Sequence, residues 1–243
     1  MNVLRLKFPC LNVTVKLRSM GPRHQLWHRI RGAVDGYAAG IVRLIGESYG
    51  RDTVQQAWQE FTSGAGEAFR GDDPHTELFF SWLFHRWSPT RAKGSRVEDF
   101  SLYGVPPTRA YLNRNSSHLE PLLRRYLENC LVTSPGFYEV FNCEPHVGFG
   151  ARDVMTGVEC EVSEELASTS LSNGDIMFAH LVPLEGTTML EAISPLSFPP
   201  VFKRHLARLC RRRKLVDPAD RELQELYFTF TKPGQSRPTA RMH

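Results

Sequence analysis

Hydrophobic positions recur every three or four residues through the first half of the chain and every second residue through much of the second half. From His24 to Tyr49, Leu26, Ile30, Val34, Tyr37, Ile41, Leu44 and Ile45 form one stripe. That spacing predicts an amphipathic helix, with Gly50 as its C-terminal stop. Asp52 is placed to cap a second helix carrying Val54, Ala57, Trp58 and Phe61, which the loop TSGAGEAFRGDDP closes. Asp73-Pro74 opens a third, PHTELFFSWLFHRW, whose aromatic face is too rich to be left in water. Together these predict an N-terminal helical bundle. Residues 88–107, SPTRAKGSRVEDFSLYGVPP, carry proline, glycine and charge with little periodicity and read as a linker or surface loop. A fourth helix follows in SSHLEPLLRRYLENCL, with a serine cap, Glu120 near the first turn, and Leu119, Leu122, Leu123, Tyr126 and Leu127 on one face.

From Gly136 the period changes to two. The runs FYEVFNCE, VGFGARDV, GVECEVSEE, DIMFAHLVPL and TTMLEAIS are separated by Thr156-Gly157, Asn173-Gly174-Asp175 and Glu185-Gly186. Short β-prone runs between such turns predict a small antiparallel barrel of about five strands over residues 137–193. Beyond Pro199-Pro200 the chain returns to helix in VFKRHLARLCRRRKL and DPADRELQELYFTFT, and the polar tail KPGQSRPTARMH is expected to lack order. The expected fold class is α+β: a mainly helical segment 1–133, a small β-barrel 134–200, and a basic helix, second helix and tail over 201–243.

Composition narrows the classes. At 243 residues, 41% hydrophobic with 15 Phe and 4 Trp, the chain can bury a core of its own. Its 30 basic and 26 acidic residues nearly cancel, so only local clustering can make a nucleic-acid footprint. Cys10, Cys130, Cys143, Cys160 and Cys210 are widely spaced and never form a C-x-x-C pair. That argues against a disulfide framework and a thiolate zinc site, and for a reducing compartment. No run approaches the roughly 18 to 20 apolar residues of a membrane span. The N-terminal MNVLRLKFPCLNVTVKL is interrupted by Arg5, Lys7 and Lys16 and does not read as a signal peptide; it is either an added strand or an extension upstream of a start at Met20. A cytoplasmic protein with no membrane partner is expected.

The pieces FFSWLFHRW, VPPTRAYL, LEPLLRRYLENC, FYEV, DVMTGVECEV and LSNGDIMFAHLVPLEGTTMLEAISPLSFPP occur in an order that resembles an uncharacterised bacterial family whose members often carry a C-terminal SEC-C zinc motif. The resemblance covers roughly residues 25–200. Its motifs are structural rather than catalytic, and it implies no known reaction. The cysteine-rich zinc motif is absent here, and a basic helix stands in its place, so no metal carries over.

Candidate chemistry is sparse. His24 and His28 stand four apart on one helix face, a metal-compatible spacing, but without the glutamate of an H-E-x-x-H motif. His75, Glu77 and His85 sit on one predicted helix that separates its two histidines by about 15 Å, too far to share an ion. Cys130, Cys143 and Cys160 need only spatial proximity to His146 or His180 to form a Cys/His hydrolase site, and Asp153 offers an acid; isolated cysteines in such runs are more often small buried hydrophobes. No catalytic residue, metal or cofactor is assigned.

The strongest signal is KRHLARLCRRRK, in which Lys203, Arg204, Arg208, Arg211, Arg212, Arg213 and Lys214 stand without an acid among them. With Phe202, Leu206, Leu209 and Cys210 turned inward, such a face can neutralise phosphates. The plainer alternative is a solvated face answered by the acids of DPADRELQEL. Phe137, Tyr138, Phe141, Phe149 and Phe178 are available either to stack bases on an exposed sheet or to fill the barrel. The sequence points to a non-enzymatic binding or adaptor module, with DNA or RNA the leading ligand class. A protein-interaction subunit of a larger bacterial complex comes second, and a hydrolase third.

Overall fold

A computed structural model describes residues 22–50, 52–63, 68–90, 100–213, 220–231 and 241–242. The first helical stripe is not one helix. It forms α1 (Pro22–Val34) and α2 (Tyr37–Leu44), and α2 runs on into a π-type segment, Ile45–Tyr49. Gly36, at φ 84°, is the reason: a left-handed residue costs glycine nothing and ends the first helix where a periodicity argument sees no break. Helices α3 (Thr53–Phe61), α4 (Thr76–His85), α5 (Pro107–Asn115) and α6 (Pro121–Val132) follow.

The cap of α6 differs from expectation. Proline at position 121 pushes the residue before it out of the helical region, so the helix cannot reach back to Ser116 or Ser117. Instead the Glu120 carboxylate accepts from the Leu123 N–H at 2.9 Å. The expected loop over 88–107 contains a short 3₁₀ turn, Phe100–Leu102; residues 91–99 lie outside the described residues, as does the N-terminal segment 1–21.

The period-two region folds as a closed five-stranded barrel. Its strands are β1 (Gly136–Glu144), β2 (Gly148–Asp153), β3 (Glu159–Ser163), β4 (Ile176–Leu184) and β5 (Thr187–Phe198). Antiparallel pairs join β3 to β2, β2 to β1, β1 to β4 and β4 to β5. A parallel pairing of Val162 with Thr188 and Ser163 with Met189 closes the ring. Gly157, Gly174 and Gly186 take φ of 76°, 90° and 80° in the predicted turns. A single turn of helix, α7 (Ala167–Ser170), lies between β3 and β4.

Alternation sorts the strands into two faces. Val140, Phe149, Ala151, Val162, Met177, Ala179 and Leu181 fill the barrel. On β4 the other parity, Ile176, Phe178 and Val182, joins cores shared with the helices, so both faces of β4 are covered and its sequence reads as an almost continuous apolar run. Helices α8 (Phe202–Arg213) and α9 (Asp220–Thr231) are held by aromatics: Phe202 stacks on Phe198 with ring centroids 4.3 Å apart, and Tyr227 on Phe178 at 4.9 Å. The tail expectation changes in part. Residues 232–240 lie outside the described residues, but Arg241 and Met242 pair with Ser197 and Leu196 of β5 as β6. Among the described residues, no helix is long and apolar enough to cross a membrane.

Candidate functional site

Two polar features stand out, one buried between barrel and helices and one on the surface. The buried one begins with a register fault. On β4 and β5, Leu181 pairs with Leu190 but His180 pairs with Ala192, which leaves Glu191 as the extra residue of a β-bulge. Side chains change parity across it: Leu190 and Ile193 pack with the barrel interior while Met189 and Ala192 join the helical cores. Glu191 is thereby re-aimed at α2, α4 and α6.

There its carboxylate is surrounded by donors. Oε1 accepts from the Tyr37 hydroxyl at 2.5 Å and lies 3.1 Å from His85 Nε2, and Oε2 accepts from the Tyr126 hydroxyl. His85 Nδ1 sits 2.9 Å from Thr108 Oγ1 on α5. Burial alone would raise the Glu191 carboxyl, but hydrogen bonds and charge from His85, with the two tyrosine hydroxyls, hold it down at about 2. Burial first, and the Glu191 charge second, push Tyr37, Tyr126 and the Cys130 thiol well up. One donor atom each of His85, Cys130 and Glu191 lie within 4.8 Å of one another. Arg31 of α1 stands to one side, paired with Glu164 at 2.9 Å and donating to the Leu190 carbonyl.

One helical turn before His85, Ser81 places its hydroxyl 2.9 Å from His180 Nδ1, and His180 Nε2 lies 2.9 Å from Thr133 Oγ1. Thr133 already donates to the Asn129 carbonyl, so it accepts from Nε2–H, and Ser81 donates to Nδ1. His180 is therefore a neutral imidazole with both nitrogens used. Burial, and then the neighbouring His85, lower its pKa to about 3.

A pH dependence follows. In the unfolded chain His180 takes up a proton below its ordinary value of 6.5, while in the folded chain it does so only near 3. Between those values the unfolded state binds more protons, so stability is fully present above about pH 6.5 and falls as pH is lowered toward 3. Urea midpoints between pH 7 and pH 5 should decline for the wild type and decline less for His180→Asn; parallel declines would refute this assignment.

The sequence-named residues fare unevenly. His180 is committed to Ser81 and Thr133, and Asp153 caps a turn by accepting from the Met155 and Thr156 N–H groups. The Cys143 thiol points to the Ser168 and Leu171 carbonyls. Cys130 instead comes together with His85 and Glu191, one donor atom of each within 4.8 Å of the others. His75 is held by Asp73 at 3.2 Å and does not join His85. His28 faces Glu165 at 3.3 Å, and the His24 side chain lies outside the described residues. Glu191 and Thr108 are not among the sequence candidates, and Tyr37 stands there only as part of the first helical stripe. The one visible signal was a lone acid in the apolar run TTMLEAIS.

The surface feature lies along β1, β2 and α8. Phe202 and Leu206 bury one side of α8, leaving Arg204, His205 and Arg208 exposed. Side chains from Cys210 to Arg213, and Lys214 entirely, lie outside the described residues. Lys203 reaches Glu139 of β1 at 2.5 Å, and Arg152 of β2 bonds the same carboxylate at 3.0 Å. On β1, Phe141 lies half-buried over Gly150, where an added Cβ would meet its ring at 2.3 Å. The Arg152 guanidinium stands 5.3 Å from the centre of the same ring. Phe137, Phe149 and Phe178 are interior, so of the aromatics named from sequence only Tyr138 and Phe141 are partly accessible.

Comparison with protein families, with curated proteins and with solved structures returned no match.

Proposed function

We propose that the protein is a non-enzymatic binding module of the bacterial cytoplasm that holds single-stranded nucleic acid along β1, β2 and α8. In this reading the helices before the barrel form an N-terminal bundle, the described pieces belong to the bacterial family they resemble, and α8 is a basic C-terminal helix. The observation that carries it is the Lys203 to Glu139 contact. It ties α8, which carries the exposed Arg204 and Arg208, to β1, the strand of Phe141, so that phosphate-neutralising charge and a ring come from neighbouring elements.

The barrel connectivity supports the same reading. A first strand paired with the second and fourth, a third parallel to the fifth, and a helical turn between third and fourth follow the plan of OB-type barrels. Those take oligonucleotides on the face of their second and third strands, although a fold alone never settles a ligand. Here Glu159 and Glu161 make the β3 side acidic, so the strand runs toward α8 instead. That acidity beside a basic helix also favours a second reading, a protein-interaction surface of mixed charge. The hydrolase reading draws nothing from His180, whose ring nitrogens are both occupied.

Arg204→Glu with Arg208→Glu should weaken binding to fluorescent single-stranded DNA and RNA of any sequence and reduce the salt slope by about 1.4 on a single strand. Phe141→Ala should cost about 1–3 kcal/mol of binding with the salt slope unchanged. The double variant should fold normally, since both arginines are exposed. Unaltered affinity in both variants would remove nucleic acid from this face and leave the protein-partner reading.

A further inference from the structure

The buried cluster offers more than a hydrogen-bond network. His85, Cys130 and Glu191 come from α4, α6 and the β5 bulge, with one nitrogen, one sulfur and one oxygen donor within 4.8 Å of each other. Around a tetrahedral zinc-type ion, bonds of about 2.0–2.3 Å set neighbouring donors about 3.3–3.8 Å apart. His85 Nε2 and Glu191 Oε1 already stand 3.1 Å apart, and the three donors together span no more than 4.8 Å. We propose that His85, Cys130 and Glu191 bind a divalent transition-metal ion of the zinc class.

Charge balance favours this occupant. A thiolate and a carboxylate around a divalent ion make a neutral unit, which suits a site walled by Tyr37, Tyr126 and apolar side chains. The surrounding hydrogen bonds already match what such a centre needs. Thr108 faces His85 Nδ1 at 2.9 Å, fixing the ring so that Nε2 points at the Glu191 carboxylate, into the cluster. The Tyr37 and Tyr126 hydroxyls orient the carboxylate, the kind of outer support that ligands require. The mixed nitrogen and sulfur set selects zinc, cobalt or ferrous iron over magnesium or calcium. Sequence spacing argued against a metal because the donors stand far apart in the chain; only the bulge and the helix packing bring them together.

The test uses tag-free full-length protein purified under reducing conditions. Elemental analysis should find about one zinc-class ion per folded chain. After unfolding with chelator, refolding with Co²⁺ should produce a thiolate-to-cobalt charge-transfer absorption. Cys130→Ser should abolish that band while Cys160→Ser keeps it. Wild-type protein that purifies without metal and shows no band on refolding with Co²⁺ overturns the proposal, whatever the variants do. Metal bound without a thiolate band, or a band that survives Cys130→Ser, overturns it equally.

Discussion

Gly148→Ala should unfold the barrel or lower its stability by at least about 3 kcal/mol, among the larger single-residue effects. Gly148 opens β2 at φ 151°, and a Cβ there would stand 2.1 Å from the Val162 carbonyl oxygen of β3. The obstacle is backbone in the partner strand, not a side chain that can swing away. Two costs therefore add, a disfavoured conformation for any L side chain and the parting of β2 from β3 at their first pair, Gly148 with Ser163. Because β3 also closes the ring against β5, the damage reaches both of its pairings. Gly157→Ala is the control: φ there is 76° but nothing lies within 4 Å of the added carbon, so its loss should stay near about 1 kcal/mol. Urea unfolding followed by circular dichroism separates the two, and equal midpoints for both variants would contradict the packing argument.

Glu191→Ala should cost about 3–5 kcal/mol, the range for breaking a buried charged network by removing one member. The glutamate side chain is 7% exposed, and its loss strands the Tyr37 and Tyr126 hydroxyls and the His85 ring together. Glu128→Ala provides the comparison. Glu128 pairs with Arg124 at 2.9 Å on the exposed face of α6, and such surface pairs contribute at most about 1 kcal/mol. Since small proteins hold only about 5–15 kcal/mol in all, the first variant should approach the limit of folding at 25 °C while the second unfolds like wild type. A loss below about 1 kcal/mol for Glu191→Ala would show that the network does not hold barrel and helices together.

The barrel was legible because each of its strands alternates or runs apolar between glycine turns, and each such glycine takes the positive φ that a turn needs. What the pattern could not show was which faces would be covered. The run DIMFAHLVPL reads as a buried strand, yet nothing in it says that His180 leaves the barrel to meet Ser81 of a distant helix. Bulges were the second blind spot. One extra residue at position 191 reverses the parity of everything after it on β5, so strict alternation would have paired Glu191 with the wrong surroundings. Gly36 misled in the opposite direction, since hydrophobic spacing continues smoothly across a break that only φ reveals. The basic composition of residues 203–214 is visible in the sequence, and the burial of Phe202 and Leu206 on α8 follows from the same periodicity. The position of α8 against Glu139 depends on tertiary packing and had no sequence signal.

The central claim, that the β1, β2 and α8 face holds nucleic acid through phosphates and a stacked ring, is most directly tested by titrating fluorescent single-stranded DNA and RNA with wild-type protein at about 50 and 200 mM salt. Affinity should be measurable at the lower salt for both nucleic acids regardless of sequence, and the logarithm of affinity should fall linearly with that of salt at a slope of about −1.4 or steeper, two phosphate contacts at the single-strand value. An absence of binding at 50 mM salt, where phosphate contacts are strongest, or binding unaffected by salt, would contradict it.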